Sequence, residues 1–136
     1  MMLKAEVVVK AQFYDLDPME VVWHGNYTKY LEQARCALLD IIGYDYRAMR
    51  DSGYVWPIVD IRIKYLRPIC FRQELRVVAT LLEYEYRLRI KYLIHDAITD
   101  EVITKAETIQ VAVARESGEM CFESPPVLIE KLKGML

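Results

Sequence analysis

The chain has 136 residues, of which 54% are hydrophobic and 28% charged, and its formal net charge is -2. These values fit one domain with a real hydrophobic core and exclude a disordered or fibrous chain. The slight acidic excess argues against a nucleic-acid partner, which needs clustered basic residues. No apolar run approaches the roughly 18 residues of a membrane span, and the first residues lack a signal-peptide layout. We therefore expect one cytoplasmic domain, residues 1–136, that engages neither nucleic acid nor membrane.

The residues typical of common catalytic and metal-binding motifs are missing from the sequence. Cys36, Cys70 and Cys121 are odd in number and far apart, which favours buried thiols in a reducing compartment. The glycines are scattered singly, so neither nucleotide-binding loop is present, and no serine lies in a nucleophile elbow. No ligand spacing indicates a metal site. We expect no cofactor and no metal, and any catalysis must use carboxylates, histidines or the backbone.

The elements can be predicted in chain order from the apolar periodicity. Residues 5–13 alternate as a strand does, and Pro18 ends the polar turn that follows. Residues 26–42 carry one apolar stripe at helical spacing, with Asn26 as N-cap and Gly43 as terminator. A short helical segment over 44–53 comes next. The remaining predicted elements are strands near 59–65, 75–81, 86–94 and 102–115, and a short helix over 126–133 capped by Ser124.

This order of elements predicts an α+β fold. One long helix followed by a meander of strands is typical of an antiparallel sheet wrapped around a single helix. One helix cannot cover both faces and both edges of a five-stranded sheet. We therefore expect copies of the chain to associate.

Polar residues concentrate between the first strand and the long helix. Asp15, Asp17 and His24 all lie there, just before a helix start whose free N–H groups attract anions. Such donors stabilise an oxyanion at a carbonyl, and a carboxylate can attack that carbonyl or activate water. Carboxylates before a helix are more often caps, however, and a histidine there is more often a bystander. The residues alone leave both interpretations open.

Residues 12–35 resemble the signature of the 4-hydroxybenzoyl-CoA thioesterase-like hotdog family. That signature has Asp-x-Asp, a short hydrophobic stretch, His-Gly-Asn-Tyr and a helix carrying Glu-x-Ala-Arg. The matching residues here are Asp15, Asp17, Val21, Val22, His24, Gly25, Asn26, Tyr27, Glu32, Ala34 and Arg35. The resemblance implies a hotdog fold, with a five-stranded antiparallel sheet wrapped around one long central helix. It also implies an acyl-CoA thioesterase.

By this resemblance Asp17 is the catalytic nucleophile or general base, and His24 positions the thioester or the attacking water. The amides near His24 and Gly25 polarise the thioester carbonyl, and Gly25, Asn26 and Tyr27 bind substrate. The helical spacing of Tyr27 and Tyr30 favours packing of both side chains in the core over contact with the substrate. The substrate is an acyl-CoA or acyl-carrier-protein thioester. The resemblance further implies a homodimer or homotetramer with active sites at the subunit interface.

The sequence departs from the family pattern at two places. Glu20 stands where the family often has glycine, and we interpret it as a solvated loop residue rather than a second pocket carboxylate. Residues 69–73 replace a segment that commonly contains a Gly-Asp pair.

The phosphates of coenzyme A require basic groups, and the strands and loops offer several. A solvated sheet face accounts for each of them equally well. The candidates are Arg62, Lys64, Arg67, Arg72, Arg87, Arg89 and Lys91.

Two other functions remain open from the sequence. One is a hydratase or dehydratase acting on acyl thioesters, in which a histidine works beside a carboxylate. The other is a protein that binds acyl thioesters without turnover.

Overall fold

The computed structural model describes residues 2–136 as one five-stranded sheet, a small two-stranded sheet and three α-helices. The helices are α1 (Tyr27–Ile42), α2 (Tyr46–Asp51) and α3 (Pro126–Leu132). The strands are β1 (Lys4–Lys10), β2 (Tyr54–Val55), β3 (Ile58–Tyr65), β4 (Glu74–Glu83), β5 (Leu88–Asp96), β6 (Val102–Gln110) and β7 (Val113–Ala114).

The large sheet is antiparallel throughout and has the strand order β1-β4-β5-β6-β3. Its inner face carries the buried alternate residues of the central strands, such as Val77, Ile90 and Tyr92. Helix α1 packs on this face, mainly against β1 and β4 and to a lesser extent against β5. The predicted α+β fold, with a five-stranded antiparallel sheet around one long helix, is confirmed.

Helix α1 forms where its apolar stripe predicts, and its buried stripe includes Leu31, Ala34 and Leu38. It ends at Gly43, whose φ of 78° is the left-handed conformation that glycine adopts most readily. As predicted, Asn26 occupies the N-cap position of α1, although its side chain does not cap the helix. Asn26 has helical dihedral angles and makes no side-chain cap, because its side chain is committed to another partner described below.

Three further boundaries differ from the prediction. The chain leaves β1 after Lys10 and forms a 3-10 turn over Phe13–Asp15 instead of extending the strand. The predicted last strand breaks after Gln110, and Val113–Ala114 pairs with Tyr54–Val55 in the small sheet. Ser124 does not cap α3, because its hydroxyl donates to the carbonyl of Tyr84.

The cysteines are less buried than expected. Cys36 and Cys70 are exposed and Cys121 is half-buried, so the interpretation of all three as buried thiols is wrong. Cys36 is not among the buried residues of the apolar stripe of α1 and lies on the outward side of that helix. Among residues 2–136, no helix combines the length and apolar character needed to cross a bilayer.

Candidate active site

Asp17 lies in a tight hairpin that links β1 to α1. Its backbone N–H donates to the carbonyl of Val21 at 2.9 Å, and its own carbonyl accepts from Glu20 N–H at 2.9 Å. The hairpin is fixed to the next segment by a bridge between Val21 and Cys70. One carboxylate oxygen, Oδ1, accepts from Met19 N–H at 2.8 Å. Within residues 2–136 the other oxygen, Oδ2, accepts no hydrogen bond and stays free for chemistry.

The family's glycine preference at position 20 has a backbone cause. Glu20 has a φ of 65°, in the left-handed region that disfavours residues with a Cβ. Its side chain is exposed, which agrees with a solvated loop residue. Arg72, in the segment that replaces the family's Gly-Asp pair, has the same φ of 65°. Both segments that depart from the family pattern therefore contain a non-glycine residue in the left-handed conformation.

Asp15 has a different role from Asp17, because it is buried, with 5% of its surface exposed. Its carboxylate oxygen Oδ2 accepts from the Tyr30 hydroxyl and from Gln12 N–H, both at 2.9 Å. Its backbone carbonyl accepts from Trp23 N–H at 2.9 Å and from the Asn26 side-chain amide at 2.8 Å. Asp15 thus accepts four structural hydrogen bonds through Oδ2 and its backbone carbonyl, whereas the side chain of Asp17 accepts one, from Met19 N–H.

A 3-10 turn over His24–Asn26 leads directly into α1. Asn26 N–H donates to the carbonyl of Trp23 at 2.8 Å, and Tyr27 N–H donates to that of His24. The N–H groups of His24 and Gly25 open the turn and donate to no acceptor in the described part of the chain. Unpaired N–H groups at a helix start are donors of the type that attracts anions in proteins.

Aromatic rings surround this turn. The exposed imidazole of His24 lies 5.2 Å from the indole of Trp23 and 6.5 Å from the ring of Tyr65, centroid to centroid. The Tyr65 hydroxyl donates to the His24 carbonyl at 3.0 Å, which ties the end of β3 to the turn. Nothing local in the sequence marks Tyr65, because its contacts with the turn depend on how β3 and the helix start meet.

The side chains of Tyr27 and Tyr30 are buried under the turn, as their helical spacing predicts. Burial raises the pKa of Tyr30, and the hydrogen bond to Asp15 acts in the same direction. Burial also raises the pKa of Tyr27, with a further contribution from Tyr65. Both phenols are therefore neutral donors near neutral pH.

The hairpin that carries Asp17 is joined to the turn that carries His24 and Gly25, because Leu16 pairs with Val22 and Trp23 N–H donates to the Asp15 carbonyl. The side chains of Asn26 and Tyr27 face the interior, and their backbone N–H groups are already paired. Among residues 2–136, the N–H groups without an acceptor in this turn are those of His24 and Gly25. Glu32 and Arg35, three residues apart on α1, form an ion pair.

The basic candidates for phosphate binding are mostly occupied or distant. Arg67, Arg87 and Arg89 form ion pairs with Glu101, Glu83 and Glu107, respectively. The residues at 62, 64, 89 and 91 lie on the outer face of the sheet, opposite α1. Arg72 lies in the turn beside the hairpin, with its guanidinium 5.1 Å from the centre of the Phe71 ring.

A cavity of about 610 Å³ lies between the C-terminal half of α1, helix α2 and the start of β3. Leu39, Met49 and Trp56 supply apolar surface, and Arg35 and Gln110 form part of its wall. None of the predicted site residues lines this cavity. No local sequence pattern marks this cavity, because its walls come from α1, α2, β2 and β6 and from the loop residues Trp56, Pro57 and Arg115.

The sequence model of the Thioesterase-like superfamily matches residues 11–132. "Putative acyl-CoA thioesterase YneP" of Bacillus subtilis is 28% identical over 110 residues, which cover 80% of this chain and 79% of that protein. A "Putative esterase" of Synechocystis is 30% identical over 128 residues, 93% of this chain and 77% of the relative. The structure of a DHNA-CoA thioesterase from Staphylococcus aureus superimposes with a TM-score of 0.85 at 22% identity, covering 97% of this chain and 90% of that one. The chain belongs to the Thioesterase-like superfamily.

Proposed function

We propose that this protein hydrolyses acyl-CoA thioesters, with Asp17 as the reacting carboxylate and the N–H groups of His24 and Gly25 as oxyanion donors. The observation that carries the proposal is the free Oδ2 of Asp17, on a hairpin that runs straight into two unpaired helix-start donors. Family membership and the relative named as an acyl-CoA thioesterase support the reaction class.

In this reaction the thioester carbonyl oxygen accepts from the two free N–H groups, which stabilise its negative charge. Asp17 attacks the carbonyl carbon itself, or it removes a proton from a water that attacks. In the first case the carbon–sulfur bond breaks to leave a mixed anhydride on Asp17, and water then hydrolyses it to the free acid and the restored carboxylate. In the second case the oxygen of the attacking water enters the free acid as the carbon–sulfur bond breaks. In both cases a proton from the water ends on the CoA thiolate. The exposed His24 ring stands beside the donors, where it orients the thioester or the water.

We propose that the active form is a homodimer, or a homotetramer built from such dimers, joined through β3. This strand is an edge that pairs only with β6, and it exposes Ile58, Val59, Ile61 and Tyr65. The opposite edge, β1, alternates Lys4, Glu6, Val8 and Lys10 on its exposed side. Long apolar edges are normally covered, whereas charged edges resist pairing.

A two-fold β3–β3 pairing would also explain the cavity. Trp56 lines the cavity just before β3 begins, and Tyr65 ends β3 with its bond to the His24 carbonyl. Antiparallel pairing brings the start of one β3 to the end of the other. The hairpin of one protomer then faces the cavity of its partner, and we propose that this cavity receives the acyl group.

The cavity wall favours a compact or polar acyl group over a long alkyl chain. Seven of its sixteen lining residues are charged, and those without an ion-pair partner among residues 2–136, such as Asp40 and Arg47, would lose hydration against methylene groups. The seven charged residues are Glu32, Arg35, Asp40, Asp45, Arg47, Arg50 and Arg115.

Thiol release from short, aromatic and long acyl-CoAs tests the activity, with Asp17→Asn measured beside the wild type. We expect turnover by the wild type, best on compact acyl groups, and its loss in Asp17→Asn with binding retained. Near-normal turnover by the variant would refute the role of Asp17. Water addition to an enoyl-CoA without thiol release would instead indicate a hydratase, and binding of all thioesters without turnover would indicate a binding protein.

Light scattering tests the dimer. Ile61→Lys places a charge at the centre of the β3 edge, so we expect a monomer with little activity. Val8→Lys is the matched control on the β1 edge, where Val8 is 67% exposed, and it should leave the oligomer intact. A wild-type monomer, or an Ile61→Lys variant of unchanged mass, would contradict the proposed interface.

The one-domain organisation of residues 1–136 stays a prediction.

A further inference from the structure

Asp15 connects three segments that meet at the candidate active site. Its carboxylate holds Tyr30 on α1, and its carbonyl holds both Trp23 N–H and the Asn26 side chain at the helix start. Two residues further along the chain, Asp17 carries the reacting carboxylate. Asp15 is therefore the point at which the hairpin is attached to the helix whose first turn supplies the oxyanion donors.

These attachments differ from an ordinary helix cap. The Asp15 carboxylate lies 15 residues before Tyr30, whose side chain comes from the second turn of α1 and not from its free N-terminal amides. The Tyr30 hydroxyl is a buried neutral donor whose bond to Asp15 prevents it from ionising readily. A buried carboxylate must keep its donors, since an unpaired one in this setting is costly.

We propose that Asp15 is a positioning residue for Asp17, acting through its hydrogen bond to Tyr30. This inference rests on the proposed function, because it assumes that Asp17 is the reacting carboxylate. Without the Tyr30 hydroxyl, Asp15 moves toward water and takes the base of the hairpin with it. A displacement of about 1 Å between a reacting group and its substrate costs up to about 100-fold in rate. Substrate binding, which does not use Asp15, should change little.

The test compares Tyr30→Phe, Asp15→Asn and the double variant in kcat and KM, each corrected for its folded fraction by near-ultraviolet circular dichroism. We expect kcat to fall about 10- to 100-fold in each single variant, with KM within about twofold. The double variant should be no slower than the slower single variant, because both substitutions break one interaction.

Tyr92→Phe is the matched control. Tyr92 is also a buried tyrosine whose hydroxyl pairs with a side chain, that of Thr108 at 2.8 Å, but it lies on β5 away from the hairpin. Tyr92→Phe should lose about as much stability as Tyr30→Phe, while the kcat of Tyr92→Phe should equal that of the wild type. If Asp15→Asn does not fold, Tyr30→Phe against Tyr92→Phe still decides the question.

Unchanged kcat in folded Tyr30→Phe would overturn the inference, as would additive losses in the double variant. Equal losses in Tyr30→Phe and Tyr92→Phe would also overturn it, since they would reflect stability alone. Asp17→Asn, run in parallel, separates the two proposals. Turnover by that variant refutes the reacting role of Asp17, whereas its inactivity beside a fully active Tyr30→Phe refutes only the positioning role of Asp15.

Discussion

A methyl group at position 25 would collide with the indole of Trp23. A Cβ built on Gly25 lies 2.3, 2.5 and 2.8 Å from three atoms of that ring, where ordinary contact begins at 3.4 Å. The ring must therefore retreat by about 1.1 Å. The backbone does not resist the change, because Gly25 is outside the left-handed region. In Gly25→Ala the substitution thus acts through Trp23 and not through backbone strain.

The expected cost to stability is small, because Trp23 is 49% exposed and can move into solvent. We expect a change within about 1 kcal/mol, which for a chain of this length is about 3–4 °C in Tm. The expected cost to turnover is larger, since the displaced ring presses on the His24 imidazole and disturbs the two free donors. Complete loss of one oxyanion donor costs about 10²- to 10³-fold, so a disturbed donor should cost about tenfold in kcat.

Acrylamide quenching of tryptophan fluorescence follows the ring, because Trp56 is buried and contributes little. Quenching should increase in Gly25→Ala. In a Trp23→Ala background the new methyl group meets no ring, so adding Gly25→Ala should no longer lower kcat. A loss of kcat that persists in that background, or unchanged quenching in Gly25→Ala, would refute the reasoning.

Three further predictions concern stability. Leu38→Ala, at a site with 0% exposure beneath α1, should cost about 3 kcal/mol, or about 10 °C in Tm by calorimetry, and a loss under 1 kcal/mol would show that the core collapses around it. Glu20→Gly removes the backbone strain of a non-glycine residue in the left-handed conformation, so it should raise the unfolding free energy by up to about 1 kcal/mol in urea titration. A lower unfolding free energy in this variant would show that Glu20 is not strained. Asp96 accepts from two backbone N–H groups and from Gln73, which lowers its pKa, so its contribution is present at neutral pH and is lost as pH falls below the ordinary aspartate range. Asp96→Asn should therefore flatten the acid limb of a Tm-against-pH curve, and an unchanged limb would exclude Asp96 as a source of acid lability.

The sequence predicts the elements well where periodicity is strong. The stripe of α1 and the alternation in β5 each report burial on one face, and burial is what the fold enforces. Predictions of helix caps from local sequence were less successful where the capping side chain forms a hydrogen bond with a residue far away in the sequence. Asn26 and Ser124 are good caps by composition, yet Asn26 donates to Asp15 and Ser124 to Tyr84, which no local rule anticipates.

The candidate site follows the same division. The motif around Asp17 and His24 is contiguous, so a sequence pattern can identify it. The different roles of Asp15 and Asp17, two residues apart, depend on which of them meets Tyr30 across the fold. Tyr65 reaches the His24 carbonyl from 41 positions away, and only the arrangement of β3 against the helix start reveals that contact.

The hairpin that carries Asp17 belongs to no continuous sheet, since it is joined to its surroundings by the isolated bridges of Leu16 with Val22 and of Val21 with Cys70. Strand β5, in contrast, is paired along both sides. Amide protons of the hairpin should therefore exchange with deuterium through small local openings, whereas those of β5 should wait for the whole molecule to unfold. The hairpin that carries Asp17 can therefore open and close many times while the large sheet remains folded.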